Sequence, residues 1–140
     1  MAPPSSCIIS GVFSLFDGSR DSGTRYHATY LSPLDSADTS TPLNVSIRKY
    51  TALADPIYEE GSLVFIVGKA APLTGEDILL DSIHSAPFDP SVVSLPGDFC
   101  HTAFVAGTVS AIDDSVPTRR SFTLAVSEYV RDERRAFHVR

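Results

Sequence analysis

The run Gly61-Ser-Leu-Val-Phe-Ile-Val-Gly-Lys69 most constrains the fold. It is apolar, rich in β-branched and aromatic residues, and framed by glycines. A second apolar run, Ile78 to Ile83, follows after Pro72 and Gly75. Two such runs joined by a Gly-containing loop predict a β-hairpin. A chain built on that hairpin needs further strands to cover it, and the remaining apolar runs supply them.

Cys7 to Phe16 is expected as a strand with Gly11 in its middle, where a glycine marks a bulge or bend. Arg25 to Leu31 is expected as a second strand, with Tyr26, Ala28 and Tyr30 on one face. Leu43 to Tyr50 alternates most clearly. Leu43, Val45 and Ile47 face one way and Asn44, Ser46, Arg48 and Tyr50 the other. Thr51 to Glu60, interrupted by Pro56, is a connector with room for one helical turn at most. Ser85 to Phe99, with three prolines and Gly97, is expected as an irregular crossing. Strands are then expected over His101 to Ile112, Phe122 to Val130 and from Ala136 onward, with a charged turn at Arg131 to Arg135. No window sustains a 3.6-residue apolar period, so the chain is expected to be all-β.

The 140 residues suffice for a real core without staples. Cys7 and Cys100 are too few for a disulfide framework or a common zinc site. They are expected as reduced thiols, with a single bridge between them as the alternative. Met1 to Ser6 has neither the basic nor the apolar region of a secretory signal, so an intracellular place, nuclear or cytoplasmic, is expected. Net charge is −6 and uneven. Residues 1–90 carry five Lys and Arg against eleven acids, and residues 91–140 carry six against six.

The chain also echoes itself. Ile8 to Ser19 aligns with Phe104 to Ser115, matching Gly11 with Gly107, Ser14 with Ser110, Asp17 with Asp113 and Ser19 with Ser115. One residue out of step, Arg25 to Ser32 aligns with Arg120 to Ser127. The expected organisation is a five-stranded unit over 1–90, a linker over 91–100, and a partial three-stranded copy over 101–140.

The order of long bent strand, two strands, connector and hairpin over residues 7–84 resembles the OB-fold, a five-stranded Greek-key barrel. The Gly61–Lys69 strand, the turn at Gly75 and the Ile78–Ile83 strand resemble the last two strands of replication-protein-A-type domains. That resemblance implies binding of single-stranded DNA or RNA on the face of the second and third strands. Stacking and phosphate contact there need aromatic rings and cations. The candidates are Arg25, Tyr26, Tyr30, Arg48, Lys49, Tyr50 and Lys69. The competing reading packs Tyr26 and Tyr30 into the barrel and leaves Arg48 and Lys49 as ordinary surface. Because Arg48 and Lys49 are neighbours on a strand, they point to opposite faces.

The four histidines are scattered, and no H-E-x-x-H, G-x-S-x-G, P-loop or G-x-G-x-x-G pattern occurs. No enzymatic activity, metal or cofactor is expected. A protein partner on the open edge of the partial copy is the alternative function.

Overall fold

The computed structural model describes residues 4–21, 26–34, 43–72, 77–89 and 101–140. Nine strands are present among them: β1 Ser6–Arg20, β2 His27–Leu34, β3 Leu43–Tyr50, β4 Ser62–Ala71, β5 Ile78–Pro87, β6 Thr102–Ala106, β7 Thr108–Val116, β8 Arg119–Val130 and β9 Glu133–Val139. No described residue is helical. The connector after β3 makes a turn around Leu53 to Asp55 in place of the single helical turn it has room for.

Strands β1 to β5 close into a ring. β1 pairs with β2, β2 with β3, β3 with β5 in parallel, β5 with β4, and β4 with β1. This is the strand plan expected of the five-stranded barrel. Closure follows from alternation: Phe13, Leu15, Ala28, Tyr30, Val45, Ile47, Val64, Ile66 and Leu80 form one buried cluster inside it. The inward set is apolar at nearly every second position, with buried Ser32 of β2 as a polar exception, so a one-residue slip of any strand would expose its row.

The predicted hairpin is β4–β5, and β5 runs on to Pro87 rather than stopping at Ile83. Gly61 supplies the positive φ, 79°, from which β4 starts. Its amide donates to Leu15 O at 2.8 Å, and the neighbouring Glu60 Oε1 accepts from Asp17 N at 2.9 Å. The bulge expected at Gly11 lies elsewhere. Gly11 pairs in step with Ile66, whereas register slips between Phe16 and Ser19, beside Asp17 at φ 52°. Gly11 instead leaves room for the His101 ring, which packs against Phe13 at a 37° tilt with centroids 4.5 Å apart.

The strand expected over His101 to Ile112 is divided at Gly107. Its first half, β6, adds to the edge of β1, and its second half, β7, joins a separate antiparallel sheet β7-β8-β9. The carbonyl of Ala125 occupies the space where a side chain at 107 would stand, so only glycine lets the chain pass from one sheet to the other.

The β8–β9 hairpin does not stand apart. Val126, Val130 and Phe137 pack on Cys7, Ala70 and Ala71 of the barrel. Glu128 sits buried beside this cluster. Its Oε2 accepts from Ser6 Oγ at 2.7 Å and Cys7 N at 3.1 Å, and its Oε1 from Tyr129 N at 2.9 Å. Burial pushes the Glu128 carboxyl up, but these donors and Lys69 outweigh it and hold it below the ordinary glutamate range. Burial raises the neighbouring Cys7 thiol, with Glu128 adding to the effect. Cys100 and the expected linker at 91–100 lie outside the described residues.

Candidate nucleic-acid interface

The antiparallel register of β2 and β3 sets His27 opposite Tyr50, and Thr51 N donates to Tyr26 O at 2.8 Å just beyond it. This brings Tyr26 and Tyr50 together at one end of the barrel. Their rings are nearly parallel, 9° apart in plane, with centroids 6.3 Å apart. Tyr26 is 51% exposed and Tyr50 62%. His27 meets Tyr50 edge-on at 6.3 Å. Aromatic faces left in water on a rigid sheet are what base stacking needs. His27 was not among the expected residues. Its place follows only from the cross-strand register, which alternation alone does not set.

Lys49 lies beside this cluster. Its ammonium donates to Tyr50 O at 3.1 Å and stands 5.4 Å from the Tyr58 ring centroid. Arg48 shares the outer face of β3 with Tyr50, whereas Lys49 leaves the strand on the opposite side, toward Tyr58, as expected for strand neighbours.

Three of the candidate residues are placed differently. Tyr30 is inside the barrel, 1% exposed, where its Oη accepts from Tyr58 N at 3.2 Å and burial pushes the phenol up. A ring in the core cannot stack on a base. It shares its face with Ala28, but the exposed Tyr26 stands just before β2 begins.

Arg48 is on the outer face but already engaged. Its Nη1 donates to Asp132 Oδ2 at 2.8 Å, and its Nη2 to Asp132 Oδ1 at 3.2 Å and Asp81 Oδ2 at 3.1 Å. Its side chain keeps 15% exposure. The hydrogen bond it donates to Asp132 is the main reason its pKa is raised. Arg131 completes the group: its amide donates to Asp81 Oδ2 at 2.8 Å, and its Nη2 to Ser46 O at 2.7 Å and Ser46 Oγ at 2.9 Å. Burial lowers the Arg131 pKa, while Asp81 opposes that. Thus the turn of the β8–β9 hairpin covers the outer face of β3 and β5.

Lys69 lies in the same cross-strand row, opposite Asp81, which in turn pairs with Arg48. It stands 4.0 Å from Glu128 Oε1 and away from the tyrosines. Arg25 lies outside the described residues. The structure therefore gathers Tyr26, Tyr50, His27 and Lys49, and assigns Tyr30, Arg48 and Lys69 to packing and to the docked hairpin.

Among solved structures, the chain is similar to the wild-type single-stranded DNA binding protein from Thermus aquaticus. The TM-score is 0.51 at 12% identity, over 99% of this chain and 73% of that one. The fold is an OB-fold barrel. The likeness is to a bacterial single-stranded DNA binding protein rather than to replication protein A in particular, and it extends through the C-terminal hairpins. No family model and no curated protein matches the chain.

Among the described residues, no three His, Cys, Asp or Glu side chains gather as metal ligands would. Nor, among the described residues, is any helix long and apolar enough to cross a membrane.

Proposed function

We propose that this chain is a non-enzymatic OB-fold module that binds single-stranded DNA or RNA. The observation that carries the reading is the exposed, near-parallel Tyr26–Tyr50 pair where β2 begins and β3 ends on the barrel. The likeness in fold to a single-stranded DNA binding protein supports it. The finer resemblance to replication-protein-A-type domains rests on the Gly61–Lys69 strand and its hairpin. Residues 101–140 are a partial second copy of the unit, and the site of action is intracellular, nuclear or cytoplasmic.

Stacking is the main source of affinity on this face, because Arg48 is neutralised within the molecule and the chain carries a net charge of −6. Fluorescence anisotropy of a labelled oligothymidine, titrated at several salt concentrations, tests the reading. Binding that weakens linearly with the logarithm of salt is expected. Tyr50→Ala is expected to weaken it by about 1–3 kcal/mol, the worth of one stacked base. Absence of binding at low salt with micromolar protein would refute the proposal.

A second reading, a protein-interaction module, is favoured by the exposed Val109 and Ile112 on β7, whose outer edge is unpaired in the three-stranded sheet. Size-exclusion chromatography with light scattering separates the two. A monomer that binds oligonucleotide supports the first, and an associating chain that does not bind supports the second.

A further inference from the structure

The β7–β8 hairpin extends past the contact that docks β8 on the barrel. Its strands pair from Thr108↔Ala125 to Val116↔Arg119. Near the barrel, Leu124 and Val126 belong to the packed cluster. Farther out, the same face continues as Val109, Ile112 and Phe122, with Ile112 71% exposed and Phe122 55%. These three, with Arg120 and Ser121, line an open recess of about 260 Å³. A second recess, of about 550 Å³, is lined by Asp113, Val116, Arg119, Ser121 and Arg140. Arg140 Nη2 donates there to Asp113 Oδ2 at 2.8 Å, which leaves Arg119 as the other cation of that side.

Charge sets this arm apart from the rest of the molecule. Residues 1–90 carry eleven acids against five Lys and Arg. On the arm, Arg119 and Arg120 stand against Asp113 and Asp114, and Asp113 is already paired with Arg140, which follows β9. An exposed aromatic ring on an apolar floor, with Arg120 on the same face and Arg119 on the opposite face beside the hairpin turn, combines the two things a single strand passing the tip requires: a surface for a base and cations for its phosphates. The complementary occupant is a polyanion with flat apolar faces.

We infer that the β7–β8 arm is a second contact for single-stranded nucleic acid, with Phe122 stacking a base over Val109 and Ile112 and with Arg119 and Arg120 meeting backbone phosphates. This rests on the nucleic-acid reading above and adds a site separate from Tyr26 and Tyr50.

The test uses the full chain and a labelled oligothymidine, comparing wild type with Phe122→Ala and with the double variant Arg119→Ser/Arg120→Ser. All three changed positions are exposed, and circular dichroism checks that each variant keeps its strands. Phe122→Ala is expected to weaken binding roughly tenfold. The double arginine variant is expected to lower the slope of log affinity against log salt by about 1.4, two phosphate contacts on a single strand.

Wild-type affinity and slope in both variants, with the wild type binding, would overturn the arm's role and leave the barrel-face reading in place. The rival occupant is a second copy of this chain. Self-association in light scattering that Phe122→Ala abolishes, with oligothymidine affinity unchanged, would assign the recess to that copy instead. No binding by the wild type at low salt would remove the functional reading and the arm's part in it together.

Discussion

At the scale of single residues, two tyrosines and one glutamate separate packing from recognition. Tyr30 and Tyr50 are both strand tyrosines on adjacent strands, yet one fills the barrel and the other faces water. Tyr30→Phe deletes the acceptor of the Tyr58 amide and is expected to cost about 1 kcal/mol in urea unfolding. It should leave oligothymidine affinity unchanged, whereas Tyr50→Ala should do the reverse. Glu128 makes the docked hairpin sensitive to acid. Its folded pKa is depressed, so its stabilisation is fully present above the ordinary glutamate value of about 4.3 and is lost as pH falls through the folded value. Urea midpoints measured from pH 7 down to pH 3 should therefore decline, and Glu128→Gln should flatten that part of the decline. An unchanged profile in Glu128→Gln would show that other carboxylates carry the acid sensitivity. Which tyrosine would be inside was not legible. Tyr26 and Tyr30 share a parity, but Tyr26 falls outside β2, and strand ends leave no trace in alternation. The commitment of Arg48 was hidden too, since its partners Asp81 and Asp132 are 33 and 84 residues away.

At the scale of elements, strands with a clean period and strong turn chemistry were legible. β3 matches its expected bounds, and β4–β5 is the predicted hairpin. The misplaced features depend on neighbours. β1 continues through polar Asp17 to Arg20 because Ser19 and Arg20 pair with Thr29 and Ala28, and a ladder needs no apolar side chains. The break at Gly107 exists because β8 approaches there. The β8–β9 turn, read as a five-residue charged stretch, is the pair Arg131–Asp132, with φ of 57° and 61°. Two positive φ values are the signature of the type I′ hairpin turn, usually filled by Asn-Gly. Here the contacts of Arg131 and Asp132 with Asp81, Ser46 and Arg48 hold it. Docking of this hairpin depends on Phe137, so Phe137→Ala is expected to destabilise by about 3 kcal/mol. Hydrogen exchange locates the effect: β8 and β9 amides should lose protection while the β2–β3 ladder keeps its own. Equal loss everywhere would mean that barrel and hairpin unfold as one unit.

At the scale of the whole molecule, a closed barrel carries a stacking surface at one end, while its C-terminal hairpins use part of the outer face for docking. The covering of Arg48 and Ser46 by the β8–β9 turn narrows the expected face to the Tyr26, His27, Lys49 and Tyr50 end. The uneven charge, visible in the sequence, takes on meaning once β7 and β8 project as an arm bearing Arg119 and Arg120. Amide chemical-shift mapping by NMR, titrating unlabelled oligothymidine into the ¹⁵N-labelled chain, tests the central claim most directly. The account predicts saturable shifts centred on Tyr26, His27, Lys49 and Tyr50, with a second set at Arg119 to Phe122, and little change at Tyr30 or Lys69. No saturable shifts, or shifts confined to the side of the barrel away from Tyr50, would contradict it.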